Sequence, residues 1–199
     1  MNDRLRRQLE FIEQTDALKS VERRTAPIGL ARRENSAEHS WQVTLTAMLL
    51  AEHANEPVDV LRVIKMLLIH DLPEIDVGDV FHYDKDGIDD LHERELAATK
   101  RLLSYLPADQ AAELLSLWQE FESRETADAR FAAAVDRFMA FLMNRNNGGG
   151  TWAEYQLAAA QVLDKNAHIV AGADSLWQAV TEIVETAVKS GHLTEERDV

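Results

Sequence analysis

Four residues have side chains suited to metal-assisted chemistry, and each stands in an unusual setting: His39, the adjacent pair His70-Asp71, and Asp136. The pair ends the apolar run Val63-Ile64-Lys65-Met66-Leu67-Leu68-Ile69, and Pro73 follows directly. Proline stops a helix, so both side chains stand at a helix end where they can converge on one point. An imidazole beside a carboxylate is a mixed N/O donor pair for a divalent ion. His39 heads a row with Val43, Ala47 and Leu50, which is the core-facing stripe of a helix. Asp136 interrupts a helix that is apolar on nearly every side, in the small-residue row Ala129, Ala132, Ala133, Asp136, Ala140, Met143. A buried carboxylate without a partner costs several kcal/mol, so Asp136 requires a cation. Its neighbour Arg137 points about 100° away around the helix and is expected to be a poor partner. One bound ion accounts for all four residues together.

Two imidazoles and two carboxylates suit manganese, cobalt, nickel, zinc, iron or magnesium. Four ligands drawn from three helices leave open positions for water and a substrate oxygen, and bound water becomes a nucleophile near neutral pH.

The elements that must position these residues are helices. Only four prolines and eight glycines interrupt the chain, and apolar residues recur with helical spacing. No alternating β-branched stretch is bounded by turns. The expected class is an all-α bundle of seven to nine helices: 3–20, 36–55, 58–71, a short turn at 73–78, 89–106, 108–123, 127–146, 152–171 and 174–190. Asn35 with Glu38 has capping-box spacing, and Asp59 and Thr126 can cap the helices that follow them. Asn146-Asn147-Gly148-Gly149-Gly150 reads as a flexible loop within one domain spanning 1–199. Residues 194–199 are expected to fray.

The 199 residues carry a formal net charge of −14. Such a surface repels nucleic-acid polymers and anionic membranes. No apolar run is long enough to span a bilayer. Zero cysteines remove disulfides and thiolate chemistry, which fits a cytoplasmic protein. A phosphate substrate would need local positive charge, and Arg23-Arg24 with Arg32-Arg33 form the densest basic stretch, just ahead of His39.

The order His, His-Asp, Asp on helices resembles the HD-domain superfamily of metal-dependent phosphohydrolases. The blocks Arg33-Glu34-Asn35-Ser36-Ala37-Glu38-His39-Ser40 and His70-Asp71-Leu72-Pro73-Glu74-Ile75-Asp76-Val77-Gly78-Asp79, with the Asp136 helix, resemble its 5′-deoxynucleotidase branch over roughly residues 15–180. The resemblance implies an HD-domain helical bundle that removes phosphate from (deoxy)nucleoside 5′-monophosphates. It implies one divalent metal per chain, held by His39, His70, Asp71 and Asp136. It implies Glu74 as the proton-handling carboxylate and Asp79 as a carboxylate near the sugar. It further implies Arg24 as the phosphate-binding arginine, a role that suits a planar fork of donors. Arg23 or Arg33, from the same basic stretch, is expected to help balance the phosphate charge. Thr25 and Ala26 stand where some members carry a tryptophan that rejects the ribose 2′-hydroxyl, which leaves the sugar preference open. A homodimer is also expected.

Other histidines weigh less. His53 lies about 21 Å along the helix axis from His39 and cannot share the metal. His82 and His92 flank an acidic stretch, 84–90, that reads as a loop over the site without EF-hand spacing. Trp118, Phe121, Trp152 and Trp177 have the spacing of helix-packing residues. Two rival readings are a dinuclear phosphodiesterase and a non-catalytic metal- or nucleotide-binding regulatory module.

Overall fold

The computed structural model describes residues 1–83 and 90–195. Among these, eleven α-helices form the protein, and no strand is present. They are α1 (Asp3–Thr15), α2 (Ser36–Leu50), α3 (Val60–Ile69), α4 (Glu74–Val77), α5 (Leu91–Leu103), α6 (Ala108–Ser123), α7 (Ala127–Asn146), α8 (Gly150–Glu154), α9 (Ala159–Asn166), α10 (Ile169–Gly172) and α11 (Asp174–Lys189). Eight of them have eight residues or more, within the expected seven to nine. None is long and apolar enough to cross a membrane.

The longest helix, α7, is the axis of the bundle and packs against α2, α3, α6, α8, α10 and α11. Its sequence explains this. Ala129, Ala132, Ala133 and Ala134 are all buried, and their small side chains let neighbouring backbones approach. The approach is tightest at α10, where a Cβ on Gly172 would collide with the carbonyl of Arg130. Gly172 is therefore needed for packing, not for an unusual backbone angle.

The expected caps are present. Asn35 and Glu38 form a reciprocal capping box, with contacts of 2.9 and 3.1 Å. The Asp59 carboxylate accepts from the amides of Leu61 and Arg62, and the Thr126 hydroxyl accepts from the amide of Ala129. Each cap is worth about 1 kcal/mol and fixes where a site-bearing helix begins.

Three expectations change. The 152–171 segment is three short helices, because Gln156 takes a left-handed backbone angle (φ 50°) and ends the pattern after α8. The Gly-rich stretch is a structured turn. The Asn147 side chain accepts from the Gly29 amide and donates to the Ala26 carbonyl, which ties the turn to the arginine-rich loop. Thr194 does not fray: it pairs with Ala158 through the Ala159 amide at 2.8 Å, beside buried Leu193. Of the acidic stretch 84–90, only Asp90 lies within the described residues.

Candidate metal centre and its cavity

Helix packing brings the four expected ligands together. His39 comes from the first turns of α2, Asp136 from the middle of α7, and His70-Asp71 from the turn that ends α3. All four side chains are buried. Nε2 of His39 lies 2.8 Å from Oδ1 of Asp136, and Nε2 of His70 lies 3.6 Å from the same oxygen. One ligand atom from each of His39, His70 and Asp136 falls within 4.8 Å of the others. Asp71 closes the group, with Oδ1 at 3.1 Å from His70 Nε2 and Oδ2 at 3.8 Å from His39 Nε2.

Two details test whether these residues fit a metal. The Nδ1 of His70 lies 2.9 Å from the Leu67 carbonyl, which can only accept, so Nδ1 carries the proton. That leaves Nε2 with its lone pair facing the cluster, buried and without a hydrogen-bond partner among the described residues. A buried orphan imidazole nitrogen among carboxylates is a ligand position. The Trp118 indole N–H donates to the His70 carbonyl at 3.3 Å, and the Phe121 ring packs 5.1 Å from the imidazole. These aromatics are core residues that hold the ligand in place.

The electrostatics follow from crowding. Burial works to raise Asp136, but Arg137 and the two imidazoles hold it well below the usual carboxylate range. Burial, aided by Arg23, lowers His39. Burial also opposes charge on His70, and Asp71 with Asp136 overcomes it, raising the group to about 9. The two carboxylates call for a cation at Nε2, which is a proton in the absence of an ion and which a bound ion would displace to free the lone pair. Arg137 is closer than its helical position implied. Its Nε sits 3.2 Å from Asp136 Oδ2, within reach of a long, flexible arginine stem. Oδ1 remains directed at the imidazoles.

Pro73 and Gly78 bracket α4 and place Glu74 and Asp79 beside the ligands. Gly78 takes φ 77°, a left-handed angle that reverses the chain so that Asp79 returns to the cavity. Arg23 ties this corner together: its Nη1 lies 2.8 Å from Asp71, 3.3 Å from Glu74 and 3.6 Å from Asp79. Burial, with Asp71 alongside, pushes Glu74 up to about 8, although Arg23 and the Ser36 hydroxyl oppose the shift.

His70, Asp71 and Asp136, with His39 behind them and off the lining, line a cavity of about 310 Å³ together with Glu74 and Asp79. Arg24 is exposed on its lining and forms no ion pair among the described residues. Arg33 is not on that lining. Its guanidinium is ion-paired to Glu154 at 2.7 Å and bonds the Arg24 carbonyl, so it braces the loop that carries Arg24. His82 lines the cavity, His53 is exposed, and His92 pairs with Glu122 at 3.6 Å.

Sequence reasoning missed Glu34, Arg124 and the pair Glu95 and Glu122, and it set Arg137 aside as a poor partner for Asp136, which Arg137 in fact contacts. Glu34 is 1% exposed, accepts from the Thr25 hydroxyl at 3.0 Å, and lies 3.7 Å from His39 Nδ1. Its position five residues before His39, at the edge of the capping box, was the available signal. Arg124, Glu95 and Glu122 carried none, since they reach the cavity only through the packing of α5 and α6.

A family model described as HD domain matches residues 15–177. The chain belongs to the HD domain family. Among related proteins, the 5′-deoxynucleotidase HDDC2 of Bos taurus is 31% identical over 132 residues, covering 65% of this chain and 62% of that protein. The Homo sapiens protein of the same name is 30% identical over 131 residues, with the same coverage. The chain thus spans less than two thirds of the curated relatives' length. A crystal structure from Magnetospirillum magnetotacticum MS-1, described as a predicted metal-dependent phosphohydrolase, is 46% identical, with a TM-score of 0.91 over 96% of each chain. A conserved hypothetical protein from Pyrococcus furiosus shares the fold, with a TM-score of 0.65 at 21% identity over 89% of this chain and 99% of its own. In this HD domain, His39, His70 and Asp136 form a group that can hold a metal ion.

Proposed function

We propose that this HD domain protein is a metal-dependent phosphomonoesterase that removes phosphate from (deoxy)nucleoside 5′-monophosphates. One observation carries the reading. The Nε2 of His70, without a hydrogen bond among the described residues, faces a buried His/Asp group at a cavity whose lining includes Arg24, which forms no ion pair among the described residues. The names of the HDDC2 relatives support the substrate class.

His39, His70, Asp71 and Asp136 would hold one divalent ion. When bound, it supplies a Lewis acid and a water acidic enough to act as a nucleophile near neutral pH. The remaining work falls to the chain. Arg24 binds phosphate oxygens through its paired donors. Glu74, raised to about 8, holds a proton near neutral pH and can give it to the departing 5′-oxygen. Arg23 spreads its charge over Asp71, Glu74 and Asp79, which lets three carboxylates share one corner. Asp79 accepts from a sugar hydroxyl. Catalysis is then positioning and charge stabilisation. Phosphate release from a panel of 5′-mononucleotides with manganese or cobalt tests the reading, and activity that survives Asp71→Ala overturns it.

A dinuclear phosphodiesterase is the second reading. It is favoured by one feature, a further group of His92, Glu95 and Glu122 whose ligand atoms lie within 4.8 Å. About two ions per chain would support it, and about one supports the phosphomonoesterase.

The protein acts as one domain, in the cytoplasm and as a homodimer, in this reading. The dimer is supported by an exposed apolar row on α2, Trp41, Leu45, Met48 and Leu49, continued on α3 by Leu61 and Leu68. Light scattering on the purified protein measures it directly.

A further inference from the structure

The cavity holds more positive charge than the roles above use. Arg23 is committed to three carboxylates, and Arg33 is tied to Glu154 outside the lining. Two guanidinium groups on the lining remain, Arg137 of α7 and Arg124, the residue that ends α6. Arg137 touches Asp136, but its Nε is buried without a properly directed hydrogen bond. No hydrogen-bond acceptor serves the other nitrogens of its fork among the described residues. The Arg124 side chain likewise has no hydrogen-bond acceptor among the described residues. Its backbone takes φ 53°, the left-handed angle of the residue that caps the C-terminus of α6, and the residue lies on the cavity lining.

Arg137 is half-buried and Arg124 is exposed at the rim of the same cavity, and two like charges lining one cavity repel each other unless an anion lies between them. Asp136 serves Arg137 only through one oxygen, and that carboxylate is shared with both imidazoles. We propose that Arg137 and Arg124 form an anion-binding subsite that takes the phosphate group of the substrate beside the His39–His70–Asp136 cluster. The inference rests on the phosphomonoesterase reading above and adds to it which wall of the cavity holds the phosphate. A phosphate dianion suits the pair better than a carboxylate does. It offers three terminal oxygens to two forks and leaves one for Arg24. Contact between Arg137 and Asp136 puts a bound anion next to the ligand atoms, where the reacting phosphorus has to lie.

The test is calorimetric titration of metal-loaded, full-length protein with inorganic phosphate and, separately, with a nucleoside that lacks phosphate. Metal content is measured in parallel. Arg137→Gln is expected to weaken phosphate binding by about tenfold or more and Arg124→Gln by a smaller factor, with nucleoside affinity and metal content unchanged. Arg137→Lys retains part of the affinity. Arg130→Gln makes the same charge change on the same helix, but its guanidinium pairs with Glu56 away from the cavity, so phosphate affinity is expected to stay at the wild-type value. Unchanged phosphate affinity in both glutamine variants overturns the subsite, and so does a loss that falls on the nucleoside. If Arg137→Gln does not fold, Arg124→Gln and Arg137→Lys carry the same comparison, and wild-type phosphate affinity in both overturns the subsite. Wild-type protein that hydrolyses mononucleotides while both glutamine variants keep full phosphate affinity sinks this inference alone. Wild-type protein that neither binds phosphate nor hydrolyses mononucleotides sinks both.

Discussion

Among the described residues, two regions gather histidine and carboxylate donors within 4.8 Å: the junction of α2, α3 and α7, and the outer wall where α5 meets α6. They differ in what the donors do without an ion. At the first, His39, His70 and Asp136 are buried and the His70 Nε2 has no hydrogen-bond partner among the described residues. At the second, His92 is exposed, stacks on Trp118 and leans toward Glu122 at 3.6 Å. Convergence of donor types is therefore a weak criterion. Burial with an unspent lone pair is a strong one, because such an atom has already lost its water and has gained nothing in return.

The largest expected effect separates the two groups. Asp71→Ala or His70→Ala is expected to lower bound metal and phosphatase activity by more than about 100-fold, whereas His92→Ala leaves metal content unchanged; elemental analysis of both variants checks this. A fall from two ions to one in His92→Ala would erase the distinction. Next, Glu74→Gln is expected to reduce kcat by about 10²-fold with metal retained, as befits a residue that moves a proton without being a ligand. Loss of metal in this variant would make it a ligand instead. Chelation is expected to lower Tm by about 5–10 °C, the value for losing an ion present at roughly 100 times its Kd in a chain of this size. His92→Ala should show the same drop.

The smallest effect belongs to the outer wall. Burial, then Glu122 and Asp71, push Glu95 from 4.5 up to about 7, with Arg94 and Arg137 opposing. A raised folded value means that the folded state holds the proton more tightly. The contribution of Glu95 is thus full below about pH 4.5 and is lost as pH rises through 7. Glu95→Gln is expected to flatten Tm against pH across that window, and an unchanged slope would assign the dependence elsewhere.

Much of the inner region was legible in advance because helical periodicity exposes contradictions. Asp136 stands in a row of alanines, His39 heads an apolar stripe, and His70-Asp71 precedes a proline. Each is a polar group where the local pattern demands an apolar one, and that conflict marks a site. The outer region offered none. Glu95 and Glu122 have surface spacing on their own helices and are half-buried by neighbouring elements, and Arg124, just past the end of α6, is exposed and meets the cavity only through that packing. The break at Gln156 was hidden for a related reason. Its left-handed backbone sits where the chain pairs with Thr194, which is distant in sequence.

The sequence by itself determined the helical class, the caps that start α2, α3 and α7, and the identity of the four converging donors, because these follow from periodicity, end chemistry and the cost of burying charge. Only the tertiary structure decided how the arginines divide their work. Arg23 binds three carboxylates, Arg33 braces a loop, and Arg137 folds back onto Asp136. An arginine stem is long enough to reach several partners from one position, so its role is set by which acceptors packing leaves within range, and chain order does not encode that.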